Sequence, residues 1–385
     1  MDAGAHEQAC AHGDGLVAMR AAPPRVAQRL TILAFMAMVA PALALGIAGG
    51  LVRAGALDAS STVFARAGLM HAALMICGFL GTVIGIERAV ALKRPFAFAA
   101  PLASAFGAML ALAGYPSAAA LSFVAAALVF TAVNVLIVRR QPAAHTGLLL
   151  LAAAAYLVGN VSLARGATSA SVFAWWFTFV VVTIAAERLE MTRLLRRRAG
   201  VQPALDAILV ALVAGAALSA SSPAAGGVLF GAALCALALW LGAFDVARRT
   251  LFTAGLSRYM AIALVSGYLW LALAGIAWSA TALGFPARDA ALHALGIGFI
   301  LSMVMGHAPV ILPAVTRIRL EFTPAFYLPL ALLHASLLVR LLDERWRATG
   351  ALLNGAAIVV FALTVFASAI GWRMRHPSPV VSVKS

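Results

Sequence analysis

The sequence is poor in charge. Only 11% of its 385 residues are Asp, Glu, Lys or Arg, against about 25% in a soluble globular domain, which excludes an ordinary soluble enzyme. Acidic residues are the scarcer kind, 13 against 28 basic ones. Asp58, Asp206, Asp245 and Asp289 all fall at predicted helix ends, so they offer no carboxylate pair at mid-membrane. Three cysteines, Cys10, Cys77 and Cys235, are too few and too scattered for a disulfide framework or a zinc cluster. A Gly-rich phosphate loop and a nucleophile–base constellation are both missing. The net charge of +15 raises the question of nucleic acid. The basic residues, however, lie singly or in short runs between apolar stretches, so membrane lipid is the expected partner and nucleic acid is not.

What the chain has is apolar length: 64% of its residues are hydrophobic and its mean hydropathy is +1.00. A membrane crossing takes about 20 such residues. Twelve spans are predicted, over 30–52, 67–90, 96–114, 117–138, 145–164, 169–188, 204–220, 224–245, 259–283, 289–313, 325–341 and 351–372. The fold class is therefore an all-α polytopic membrane protein with about twelve transmembrane helices. Residues 30–372 form the membrane domain, 1–29 a disordered N-terminal tail and 373–385 a C-terminal tail. The first span is too long, and its basic leader too extended, for a cleaved signal peptide.

Basic residues divide unequally between alternate loops. Of the 28, Arg53, Arg66, Arg165, Arg288, Arg340, Arg345 and Arg347 fall on one side and the other 21 on the opposite side. By the positive-inside rule both termini are cytoplasmic, in a bacterial inner membrane. Spans 2 and 6 end alike, Ile84-Gly85-Ile86-Glu87-Arg88 and Ile184-Ala185-Ala186-Glu187-Arg188. Spans 2 and 10 open alike, with Arg66 and Arg288 each five residues before His71 and His293. Helices 2, 6 and 10 thus read as equivalents, implying three units of four helices.

Ionisable side chains inside a membrane are costly, and an intramembrane histidine is a functional-site hypothesis by default. Four lie inside spans: His71, His293, His307 and His334. His71 and His293 sit at matching depth, roughly 6–8 Å below the external face at 1.5 Å per residue. Two neutral imidazoles at one level are what bis-histidine ligation of a haem needs; the alternative is a helix–helix hydrogen bond. On an α-helical wheel Gly78 and Gly85 fall within about 40° of His71, a stripe that leaves room for a flat macrocycle. Arg66 and Arg288, just outside each histidine, are candidates to pair with haem propionates. Met75, one turn below His71, is a wall or an alternative soft ligand.

His307 and His334 are more simply read as structural, with a second metal or haem site as the functional alternative. Met303 and Met305 nearby suit copper(I). The Glu87-Arg88 and Glu187-Arg188 pairs are expected to form salt bridges between repeats or to anchor at the interface. Arg193 and Arg196-Arg197-Arg198 form a positive clamp. His6, Cys10 and His12 have metal-ligand residue types but sit in the tail.

Twelve helices in groups of four, with histidines on helices 2 and 10, resemble the architecture of haem-copper oxidase subunit I. His71-Ala72-Ala73-Leu74-Met75 is similar to the His-Gly-x-x-Met that carries a low-spin haem ligand in that family, and His293 would be its partner. Helices 6 and 7 hold no histidine and helix 10 lacks a His-x-His, so the usual oxygen-reducing copper centre is not implied. The stretches around His71 and His293-Ala-Leu-Gly-Ile-Gly more closely resemble the NnrS family, bacterial membrane proteins associated with haem, copper and nitrosative stress. That resemblance implies a haem b protein in electron transfer or in handling nitric oxide, with a redox partner. The alternative expectation is a proton- or ion-coupled secondary transporter using His307 and His334.

Overall fold

In the computed structural model, residues 25–191 and 200–376 are described; the N-tail motif and the 193–198 arginines lie outside them. The described residues form twelve long helical rods and no strand. We number them α1 (Arg25–Arg53), α2 (Thr62–Leu92), α3 (Pro95–Ala113), α4 (Pro116–Arg140), α5 (Ala144–Ala164), α6 (Ser169–Met191), α7 (Val201–Leu218), α8 (Pro223–Phe244), α9 (Gly255–Ala282), α10 (Arg288–Thr316), α11 (Pro324–Leu342) and α12 (Glu344–Arg375). Each rod overlaps one of the twelve predicted spans. Eleven are long and apolar enough to cross a membrane, and the corresponding apolar part of α1, Ala37–Arg53, is shorter. The chain is an all-α polytopic membrane protein.

Exposed apolar side chains fit that reading. Leu69, Val210, Leu239 and Leu269 lie at the bundle surface, where hydrocarbon rather than water would meet them. Helices adjacent in sequence pack against one another, and the bundle closes where α1 meets α10 and α12 and where α2 meets α10. Small residues bring the rods close. At the α8–α9 crossing, a Cβ on Gly275 would lie 2.5 Å from the Gly231 carbonyl oxygen, so only glycine fits there.

Two of the rods depart from α-helical geometry, and in the same way. In α2 the stretch Leu74–Gly81 is π-helical, and in α10 so is Ala294–Leu301. Both stretches are eight residues long and both begin within three residues of a histidine, His71 or His293. A π-helix bonds each carbonyl to the amide five residues on, a rare pattern that is found frequently at functional sites. Ser104 of α3 donates to the Cys77 carbonyl at 2.7 Å, and Thr82 donates to that of Gly78 at 2.6 Å. In α10 the aromatic ring of Trp270 packs so closely on Gly298 that a Cβ there would clash.

The end of the bundle away from these histidines is tied by buried ion pairs. Arg88 of α2 donates to Glu87 at 2.8 Å and to Glu187 of α6 at 2.9 Å. Arg188 makes a bidentate pair with Asp245, just past α8, at 2.7 and 2.9 Å, and donates to His307 of α10 at 3.2 Å. The two Glu-Arg pairs therefore meet once, through Arg88 and Glu187, while Arg188 turns to a different partner. Asp245 is 4% exposed, and removing one member of such a pair costs about 3–5 kcal/mol because the other charge stays buried. Arg188→Met should accordingly lower the thermal unfolding midpoint of the detergent-purified protein. Arg188→Met with Asp245→Leu should recover most of that loss; an unchanged midpoint in the single variant would show that the pair holds nothing.

Candidate functional site

His71 and His293 come together. Their rings, from α2 and α10, have centroids 6.4 Å apart and planes inclined by 21°. Each ring is held by its Nδ1. In His71, Nδ1–H donates to the Gly46 carbonyl of α1 at 2.7 Å. In His293, Nδ1–H donates to the Asp289 carbonyl at 3.0 Å and lies 3.1 Å from the Asp289 carboxylate. Those bonds put a proton on each Nδ1, so that in the neutral ring the lone pair lies on Nε2, the form of imidazole that binds a metal.

Gly50 of α1 allows the close approach to His71, since a Cβ there would lie 2.9 Å from the ring. The Asp289 carboxylate is itself gripped by Arg340 of α11 through two bonds of 2.9 Å. Asp289 sits in the first turn of α10, where a negative charge also suits the helix dipole.

Both imidazoles line a cavity of about 750 Å³ between α1, α2, α6, α10, α11 and α12. That volume lies within the range of roughly 300–1,000 Å³ typical of ligand and cofactor sites. Its deeper wall is apolar, with Met75, Phe79, Phe177 and Ile300 among the lining residues. Arg53, Arg288, Arg340 and Arg347 add positive charge, with Asp289 as the acidic counterpart. Arg288 donates to Ser169 at 3.0 Å and lies over the Phe173 ring; Arg347 pairs with Glu344 at 2.8 Å.

Of the residues expected around the histidines, Arg288 and Met75 line this cavity and three do not. Arg66 points to the end of α3, donating to the carbonyls of Leu112 and Ala113 at 3.1 and 2.9 Å. The last carbonyls of a helix lack partners within it, and Arg66 supplies one. Gly78 packs against Ala42 and Ala108, and Gly85 against Pro101. They serve helix contact with α1 and α3, because the π turns alter the angular step that an α-helical wheel assumes. Gly50 and Gly296 face the cavity instead, and nothing lies within 4 Å of where a Gly296 Cβ would stand.

His307 and His334 do not form a common site. His307 accepts from Arg188 and donates from Nδ1 to the Met303 carbonyl at 2.8 Å. His334 accepts from Trp270 Nε1 at Nδ1 and donates from Nε2 to Ser266, both at 2.9 Å. Every ring nitrogen of the two is engaged, in separate networks, which is the structural role weighed for them. Among the described residues, no group of three or more His, Cys, Asp or Glu side chains is placed to hold a metal ion.

Sequence reasoning did not find Arg53, Asp289, Arg340 or Arg347 as site residues. The available signal was that Asp289 and Arg340, of opposite charge, fall at span ends on the same side of the membrane as His71 and His293. Comparison with curated proteins and with solved structures found no match. Residues 29–371 match the family model DUF8744, a domain of unknown function. The match covers most of the 385 residues, and the chain belongs to the DUF8744 family.

Proposed function

We propose that this chain is a membrane b-type haem protein in which His71 and His293 would hold the haem iron. The observation that carries the reading is the imidazole pair itself. Histidine rings from two different helices reach one place in the cavity, which is what two imidazole ligands to one iron would require. The two rings here are 6.4 Å apart, with Nδ1 of each anchored and Nε2 of each free. The donor set, two imidazoles, is that of a bis-histidine haem. The cavity has apolar walls for a macrocycle, and Arg53, Arg288 and Arg347 are the side chains that would meet its carboxylates.

When bound, such a group supplies one-electron chemistry or a site for a small diatomic ligand. The protein's part is to hold the two rings, exclude water with Phe79, Phe177 and Ile300, and neutralise carboxylate charge at the arginines. The wider reading is electron transfer or handling of nitric oxide or redox stress, by likeness to the NnrS family. It places the bundle in a bacterial inner membrane with both termini cytoplasmic and a three-unit ancestry. The matched π turns after His71 and His293 support kinship of α2 and α10. Among the described residues, His307 and His334 have other partners, so this reading assigns them no metal.

A secondary transporter is the second reading. It is favoured by a cavity in one half of the bundle and buried ion pairs tying the other end, an arrangement suited to alternating access.

An absorption spectrum of the purified protein, oxidised and dithionite-reduced, separates the two readings. A low-spin haem b spectrum, lost in both His71→Ala and His293→Ala while the variants still insert, is the expected result. A colourless protein made with ample haem would move the assignment to transport. Gly296→Leu gives a test that does not touch a ligand. The added side chain enters open cavity space, so the variant should fold as the wild type does and fail to take up haem. Full haem loading in Gly296→Leu would place the group elsewhere.

A further inference from the structure

The two imidazoles are held by different partners, and the difference is chemical. The Nδ1–H of His71 meets a neutral backbone carbonyl on α1. The Nδ1–H of His293 meets the Asp289 carbonyl and also its carboxylate, at 3.1 Å. A carboxylate on Nδ1–H pulls the proton toward itself and makes Nε2 a stronger donor, whereas a carbonyl does so weakly. The carboxylate is in turn restrained by both guanidinium bonds from Arg340, whose side chain is 6% exposed. Arg340 therefore drains part of the charge that Asp289 would otherwise lend to the ring. The relay runs from α11 through α10 to the cavity.

We infer that Asp289 and Arg340 are positioning residues that set the donor strength of His293, with Asp289 strengthening it and Arg340 holding that effect in check. The consequence is an unequal pair of ligands. His293 is the firm one. His71, anchored only to a carbonyl, would hold the iron less firmly. This inference rests on the haem reading above and concerns only how the chain's own groups tune it.

A stronger imidazole donor stabilises the oxidised metal, so the two substitutions should act in opposite directions. Asp289→Asn should raise the reduction midpoint. A tenfold change in the oxidised-to-reduced ratio at fixed potential is the expected scale, 59 mV for a one-electron couple. Arg340→Gln should lower it, and Asp289→Glu should restore most of the wild-type value. A merely structural pair would give loss of haem or broadened titrations in both variants and no opposed shifts.

Through-space charge is separated by a second readout. The low-spin ferric electron paramagnetic resonance spectrum should move in Asp289→Asn. It should stay in place in Arg66→Gln, which removes a positive charge from a side chain that lies outside the cavity, on the end of α3. Equal midpoints in wild type, Asp289→Asn and Arg340→Gln would overturn the inference while leaving bis-histidine ligation standing. A wild-type protein without haem would instead defeat the reading on which it rests. Should Asp289→Asn fail to fold, the downward shift in Arg340→Gln carries the test alone, and an upward or absent shift there refutes it.

Discussion

Inside hydrocarbon, a backbone amide or carbonyl that loses its helical partner finds no water to replace it, so helices in a bilayer keep their hydrogen bonds unless something else in the protein takes them over. Against that constraint, two eight-residue π stretches are conspicuous departures. Within the first of them, Ser104 and Thr82 donate to the carbonyls of Cys77 and Gly78. Both stretches begin beside the histidines that line the main cavity, and π turns concentrate at functional sites. The constraint also organises the rest of the bundle, since it leaves small residues and a few buried ion pairs as the means by which twelve helices recognise one another.

The bundle has two unlike ends. Around His71 and His293 it is hollow, with arginines and a single acid among the cavity-lining groups. At the other end Arg88 and Arg188 fasten α2, α6, α10 and the turn after α8 with almost no exposure. Buried ion pairs contribute little net stability against apolar replacements, but they tolerate few alternative arrangements. They are suited to fixing how the helices are set at one end while the other end remains available for a ligand.

The twelve rods were legible in the sequence because hydropathy and length in a membrane leave few options. The pairing of His71 with His293 was legible too, as two histidines at one depth on helices of the same direction. The glycine and arginine assignments were less so. Gly78 and Gly85 share a face with His71 only if the helix is α throughout, and nothing in Leu74-Met75-Ile76-Cys77 announces a π turn. Arg66 matches Arg288 in spacing, yet its environment is decided by the end of α3, which is distant in sequence. Asp289 and Arg340 become one unit only when α10 and α11 are packed. In each case the missing information was tertiary: which surface a neighbouring helix presents.

The π stretch in α2 has a geometric consequence for the whole rod. A wider turn advances fewer degrees per residue than an α turn, so everything below Gly81 is rotated about the helix axis relative to everything above Leu74. His71 and Arg88 occupy opposite sides of that phase offset, the first turned toward α10 and the second toward α6. Reverting the segment to α would swing one of these side chains away from its partner while leaving the other in register. The orientation of the cavity's imidazole and the locking of the far end are therefore two readings of a single angular setting.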